Sequence, residues 1–377
     1  MKTFIKTLFF LALVIVAFFR FGPIDLLEKI PSEYRHWTLT FIRPELFPTL
    51  SISSDLPPPK VIKSPMPYYG KSLDDALQLV STAKFGSTEA YRAKVNLKRL
   101  HHLNVAGEYV TAIDLQESAV VVLSPELKFI RKWQMFTSGS ELLKLPVAMV
   151  ANVREVAVID EKGKLVWWNL KGERQGTLEI EGKPHDIDFL TNGDFLVHRT
   201  SPAPYVLAAY DRSGRLIREF APERSVDPVQ GEALNQGFAA VNARNEAAFC
   251  LINPYRLYFF HANGRAKNII EFEPVFKISP PVVEMKNGRV KSVIRQRIVY
   301  DLVWNKDELY VLVAPETNRA ASWLEIFDRD GEMLHRFALT LNALKIGVYE
   351  DDIILHGYYP DYRIERFKMV KFAQAQQ

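Results

Sequence analysis

Residues 207–220 read LAAYDRSGRLIREF, and residues 324–337 read LEIFDRDGEMLHRF. Each is an apolar run, a polar turn that closes on Gly214 or Gly331, and a second run that ends in Phe220 or Phe337. The pattern recurs in VWWNLKGERQGTLEI (166–180) around Gly172 and in LYFFHANGRAKNIIEF (257–272) around Gly264, with a degenerate copy in VVVLSPELKFIRKWQMF (120–136). Asp or Asn at the first turn position accepts bonds from the turn backbone. Glycine at the last position takes a positive φ without a Cβ clash. The stretch therefore predicts a hairpin with a type I turn and a glycine bulge.

Two further strands precede each hairpin. They lie in VAMVANVREVAVID (147–160), HDIDFLTNGDFLVHR (185–199), GFAAVNARNEAAFCLI (237–252) and VYDLVWNKDELYVLV (299–313). A unit at 97–136 comes before these, and LKIGVYEDDIILHGYY (344–359) with the segment to residue 372 forms another. Six units between 96 and 372 average roughly 46 residues, the length of a four-stranded propeller blade. Short strands at this period bury both faces only by stacking on neighbouring units. The expected fold is all-β, a six-bladed β-propeller, with an insertion at about 273–297 and a tail at 373–377. A pair of β-sandwiches would explain the strands but not the period. The last unit lacks a clear fourth strand, so a lead-in strand near Lys94–Leu100 is expected to close the ring.

Upstream of the ring, Lys2 and Lys6 precede an uncharged apolar run from Leu8 to Phe19, which Arg20 ends. A basic start before an apolar stretch is an export signal. No small-residue cleavage site follows, since Phe18, Phe19 and Phe21 fill that region. The reading favours an uncleaved signal-anchor helix over residues 1–22, with a cleaved signal peptide as the alternative. The ring is then expected on the extracytoplasmic, periplasmic side of the cell membrane, held by that helix. Residues 23–95 read as a proline-rich spacer, stiffened at Pro57-Pro58-Pro59. The spacing of Leu73, Ala76, Leu77 and Val80 predicts one short helix over Ser72–Ala83.

Composition narrows the function. The chain has 377 residues, 48 Lys and Arg against 44 Asp and Glu, and a net charge of +4. That near-balance gives no electrostatic basis for nucleic-acid binding. The one cysteine, Cys250, excludes an intramolecular disulfide framework and a multi-cysteine metal centre. No phosphate loop, dinucleotide fingerprint or nucleophile elbow is present. No catalytic residue is therefore assigned.

His185, Asp186 and Asp188, ahead of Asn192-Gly193, form the sharpest polar cluster. With Asp301 and His101 they start inner strands and are the candidates for ligand binding at the channel mouth. No cofactor is expected, with calcium held by such aspartates as the alternative. The insertion carries a basic set, Lys286, Arg289, Lys291, Arg295 and Arg297, which is the candidate surface patch for an acidic partner or lipid headgroups.

The aromatic-Asp-x-x-Gly hairpin ending in Phe, seen as YDRSGRLIREF and FDRDGEMLHRF, resembles the six-bladed propellers of the NHL and TolB-like type. The resemblance covers about residues 96–372 and implies that fold. Members include interaction scaffolds, ligand binders and a few lyases or lactonases. HDIDFLTNGDFLV is also similar to a blade motif of bacterial arylsulfotransferases, whose chemistry uses several channel-facing histidines. The equivalent starts here, Val147, Gly237 and Val299, are not histidines. The functional expectation is a binding or interaction module without evident catalysis. The alternative is a propeller hydrolase, lyase or sulfotransferase with its site at the channel mouth.

Overall fold

The computed structural model describes residues 57–63, 77–84, 100–135, 143, 145–200, 205–222, 234–273, 282–286, 289–294, 296–314, 321–357 and 363–369. Two strands lie in the lead-in, β1 (Lys60–Lys63) and β2 (Leu77–Lys84). Three four-stranded antiparallel meanders follow. The first is β3 (Leu100–Ala106), β4 (Tyr109–Asp114), β5 (Ala119–Leu123) and β6 (Phe129–Gln134). The second is β7 (Pro146–Ala151), β8 (Glu155–Asp160), β9 (Lys164–Asn169) and β10 (Arg174–Glu179). The third is β11 (Lys183–Phe189), β12 (Phe195–Thr200), β13 (Tyr205–Tyr210) and β14 (Leu216–Pro222).

The next sheet is β15 (Gly237–Val241), β16 (Ala247–Leu251), β17 (Arg256–Phe260) and β18 (Ala266–Glu273), with β1 added parallel on its outer edge. A separate hairpin pairs β19 (Val282–Lys286) with β20 (Arg289–Ile294) inside the predicted insertion. The last sheet runs β21 (Val299–Asn305), β22 (Glu308–Val313), β23 (Ala321–Asp328), β24 (Met333–Tyr349), β25 (Asp352–Gly357) and β26 (Arg363–Met369), with β2 as its seventh strand. The hairpins form as their turn chemistry predicts. Gly214 N–H donates to Asp211 O at 3.0 Å, and Asp211 Oδ1 accepts from the N–H groups of Ser213 and Arg215. Asn169 and Asp328 do the same ahead of Gly172 and Gly331, and the register slips where each bulge is expected.

First strands abut one another in order: β3 on β7, β7 on β11, β11 on β15, β15 on β21, β21 on β24, and β24 back on β3. The core is accordingly a set of layers between sheets. Trp167 and Leu178 pack with Phe195 and Tyr210 of the following sheet, and Leu103 and Val121 pack with Ile354 and Ile364 across the first-to-last junction. This is an all-β structure of repeated four-stranded sheets arranged as in a propeller. It also explains both ends of the sequence motif. Gly264, at φ +85°, lies so close to Phe220, the last residue of the preceding motif, that an added Cβ would stand 3.1 Å from its ring. A buried ionic knot reaches across a junction: Arg336 meets Glu325 at 2.6 Å, and the Tyr255 hydroxyl of the neighbouring sheet donates to the same carboxylate.

The lead-in departs from expectation. The segment predicted helical is a strand over Leu77–Lys84, paired antiparallel with β26 from Leu77↔Met369 to Lys84↔Arg363. It supplies the missing outer strand, a role predicted for Lys94–Leu100; Leu100 instead opens β3. The open edge of β26 outweighed a short helical pattern, because edge N–H and C=O groups bind any extended segment in reach. Nor are residues 60–63 spacer: they pair from Lys60↔Ile270 to Lys63↔Glu273, and Lys60 forms an ion pair with Glu332. The predicted anchor lies outside the described residues. Among the described residues, no helix is long and apolar enough to cross a membrane.

Candidate functional site

Within its sheet each first strand (for β24, its Lys345–Tyr349 part) pairs on one edge only, so the N–H groups of its free edge need acceptors from elsewhere. The inner-strand aspartates supply them. Ala239 N–H donates to Asp186 Oδ2 at 2.9 Å, and Val241 N–H donates to Asp188 Oδ2 at 2.6 Å. Both carboxylates thus reach from β11 to β15. Asp301 repeats the device from β21 to β24, accepting Ile346 N–H at 2.9 Å. Its other oxygen takes Lys345 Nζ at 2.8 Å, and that ammonium lies 5.0 Å from the centre of the Phe238 ring.

Enclosure by protein pushes the carboxyl of Asp186 up to about 6, with the Lys345 charge opposing, and that of Asp188 up to about 7. Burial also raises Asp301, and Lys345 pulls it back. The Asp301 charge also raises the Asp186 carboxyl, so the two stand within electrostatic reach of each other. They act as fasteners between sheets. Among the described residues, no three His, Cys, Asp or Glu side chains are grouped to hold a metal.

The histidines are placed differently. His185 shares a hydrogen bond with Thr200 Oγ1 at 2.9 Å and lies against His198, ring centres 5.1 Å apart. His198 is fully buried, bonds Asn235 O and rests on Phe249. Burial pulls it down to about 4, so it stays neutral near pH 7. His101 belongs to β3, and its side chain lies outside the described residues.

The basic set divides. Lys286 ends β19, while Arg289 and Lys291 belong to β20; the side chains of these three, and Arg295 entirely, lie outside what is described. Arg297 is exposed and lies after β20, just ahead of β21. Its guanidinium turns back over Tyr300 (4.5 Å) and Phe238 (5.2 Å) and donates to the carbonyls of Val299 and Tyr300. Aromatic faces and backbone acceptors near the inner strands hold it there. Lys345 and Phe238 were not singled out in the sequence. The recurrence of aspartate in the first strands, as in HDID and VYD, was the usable signal for the partners they meet.

A cavity of about 750 Å³ opens where the turns after β7, β11 and β15 converge, at the opposite end of β11 from His185. Asn152, Arg154, Glu155, Asn192 and Asn242 line it from those turns, beside Trp167, Gln175 and Phe189. Arg212, from the β13–β14 turn, forms one wall. Its guanidinium bonds Glu155 at 2.5 Å and sits over Phe195 (4.7 Å), Trp167 (5.2 Å) and Phe189 (5.5 Å). Phe189 and Val241, whose N–H groups Asp188 ties together, line the cavity as well. The asparagine-glycine turn was visible in the sequence; the convergence of three sheets on it was not.

No protein-family model matches the chain, and no curated protein matches it either. Solved structures do. A Bacteroides fragilis protein described as exported is 10% identical, with a TM-score of 0.54 over 82% of this chain and 99% of its own. The WD40 repeats of RRP9 are 8% identical, with a TM-score of 0.47 over 72% and 81%. BamB from Moraxella catarrhalis is 11% identical, with a TM-score of 0.40 over 73% and 83%. At such identities the first of these likenesses speaks for the fold alone, and the fold it supports is the all-β, repeated-sheet architecture.

Proposed function

We propose that this chain is a six-bladed propeller of the NHL or TolB-like type that works as a ligand-binding or protein-interaction module. In this reading the seven-stranded sheet is two blades sharing β24, and β2 completes the second of them. The ring stands on the extracytoplasmic side of the cell membrane, tethered by the N-terminal basic-apolar segment. Its working face is the one on which the β7–β8, β11–β12 and β15–β16 turns meet.

One observation carries the reading: a cavity with a fixed aromatic and arginine wall opens on that face, while the channel aspartates are engaged by strand N–H groups. A photo-crosslinking residue placed at Val153, which is 62% exposed at the cavity rim, tests it in cells. The same residue at Ile217, on an exposed outer strand, is the control. Capture from Val153 but not from Ile217 supports the reading. Capture from Ile217 alone, or from neither position, counts against it.

A further inference from the structure

We infer that the cavity takes a carboxylate joined to an apolar group, and that Arg154 pairs with its charge. The inference rests on the proposed use of this cavity as the ligand site.

Among the described residues, three charged side chains line the cavity: Arg154, Glu155 and Arg212. Glu155 and Arg212 neutralise each other, and ring faces hold that pair in place. Arg154 is the remainder. It is exposed, and among the described residues no ion pair or side-chain hydrogen bond engages its guanidinium. Its backbone is nonetheless pinned from both sides. The Arg154 N–H donates to Asn152 Oδ1 at 2.8 Å, and its carbonyl accepts Leu170 N–H at 3.1 Å. A fixed backbone carrying an uncommitted guanidinium loses less freedom on binding than a mobile loop arginine.

The lining therefore carries one uncompensated positive charge and no uncompensated negative one. A cationic ligand would meet that charge directly, and a neutral ligand would leave it unused. A carboxylate matches the fork of an arginine with two parallel hydrogen bonds. The apolar part has its own wall in Trp167, Phe189, Leu190 and Val241. The volume of about 750 Å³ lies in the range of sites that enclose a small organic molecule or a few side chains. The carboxylate could come from a free organic acid or from an acidic, aliphatic peptide segment; the chemistry is shared.

The test uses the full-length chain in nanodiscs, with empty nanodiscs as the blank, by isothermal titration calorimetry. The probes are 4-phenylbutanoate and its amide, and acetyl-Leu-Glu-Leu-Glu-Leu-amide and its glutamine counterpart. At least one acid should bind about tenfold more tightly than its neutral partner, and Arg154→Gln should erase that difference without moving the melting temperature. Which acid binds identifies the source. Equal binding of acid and neutral partner overturns the inference while leaving the cavity as a ligand site. An acid preference that survives Arg154→Gln also overturns it. Absence of binding by all four probes overturns it too, and joined to an empty Val153 crosslink it removes the binding-module reading as well.

Discussion

Replacing Asp188 tests the fastening of one sheet to the next. Its Oδ2 accepts Val241 N–H at 2.6 Å and its Oδ1 accepts Phe189 N–H at 2.7 Å. Asp188→Ala leaves these donors without their acceptor, which costs roughly 1–3 kcal/mol for an enclosed donor. At about 2 °C per kcal/mol for a chain of this size, that lowers the melting temperature by ~2–6 °C. Asp188→Asn keeps one carbonyl oxygen and removes the charge, so its effect depends on pH. Enclosure raises this carboxyl from 3.8 to about 7. Its contribution to stability is therefore complete below about 4 and is lost as pH rises through 7. Three pH units set an upper bound near ~4 kcal/mol, and partial contact with water reduces it to ~1–3 kcal/mol. Melts of wild type, Asp188→Asn and Asp188→Ala from pH 4 to 8.5 provide the assay. The asparagine variant should match wild type at pH 4, gain on it up to about pH 7 and level off beyond, while the alanine variant stays below asparagine throughout. Asp186 titrates in every variant, and because its charge raises Asp188, the comparison reads the two carboxyls as a coupled pair. Parallel wild-type and Asp188→Asn curves across that range would refute the reasoning.

Gly264→Ala should lower stability by ~1–3 kcal/mol in denaturant titration, because its φ of +85° strains any side chain and its Cβ would press on Phe220. Glu325→Ala should cost more, roughly 3–5 kcal/mol by the same titration, since it strands the buried Arg336 guanidinium and the Tyr255 hydroxyl together. Deleting residues 77–84 uncovers the β26 edge, and calorimetry should show a broadened, lowered transition. Deleting residues 94–97 should leave that transition sharp, which separates the two closure strands.

How far the sequence could be read depends on how local each determinant is. The Asp211–Gly214 and Asp328–Gly331 turns are legible because their bonds and dihedrals close within five residues. Repetition of that unit then forces stacking, and with it the architecture. Segment 77–84 shows the limit. Its apolar spacing fits a helix in isolation, and only the edge of β26, almost three hundred residues away, decides otherwise. The candidate site follows the same rule. Asp186, Asp188 and Asp301 could be placed on inner strands from pattern alone. Their task could not, because it is set by the N–H groups of Ala239, Val241 and Ile346 on the next sheet. Arg212 looks like an ordinary turn residue until Trp167, Phe189 and Phe195 are seen around it.

β1 gives the ring a mechanical property. Any pull arriving along the chain from before residue 60 reaches β1 before it reaches β2. The four parallel pairs with β18 and the Lys60–Glu332 contact take that load first. Because β1 lies along its partner, the pairs along it share a lengthwise pull instead of opening one at a time. Should they give way, tension falls next on the β2–β26 seam. The short strand thus serves as a strain relief, much as a cable is clamped to a housing ahead of its solder joint.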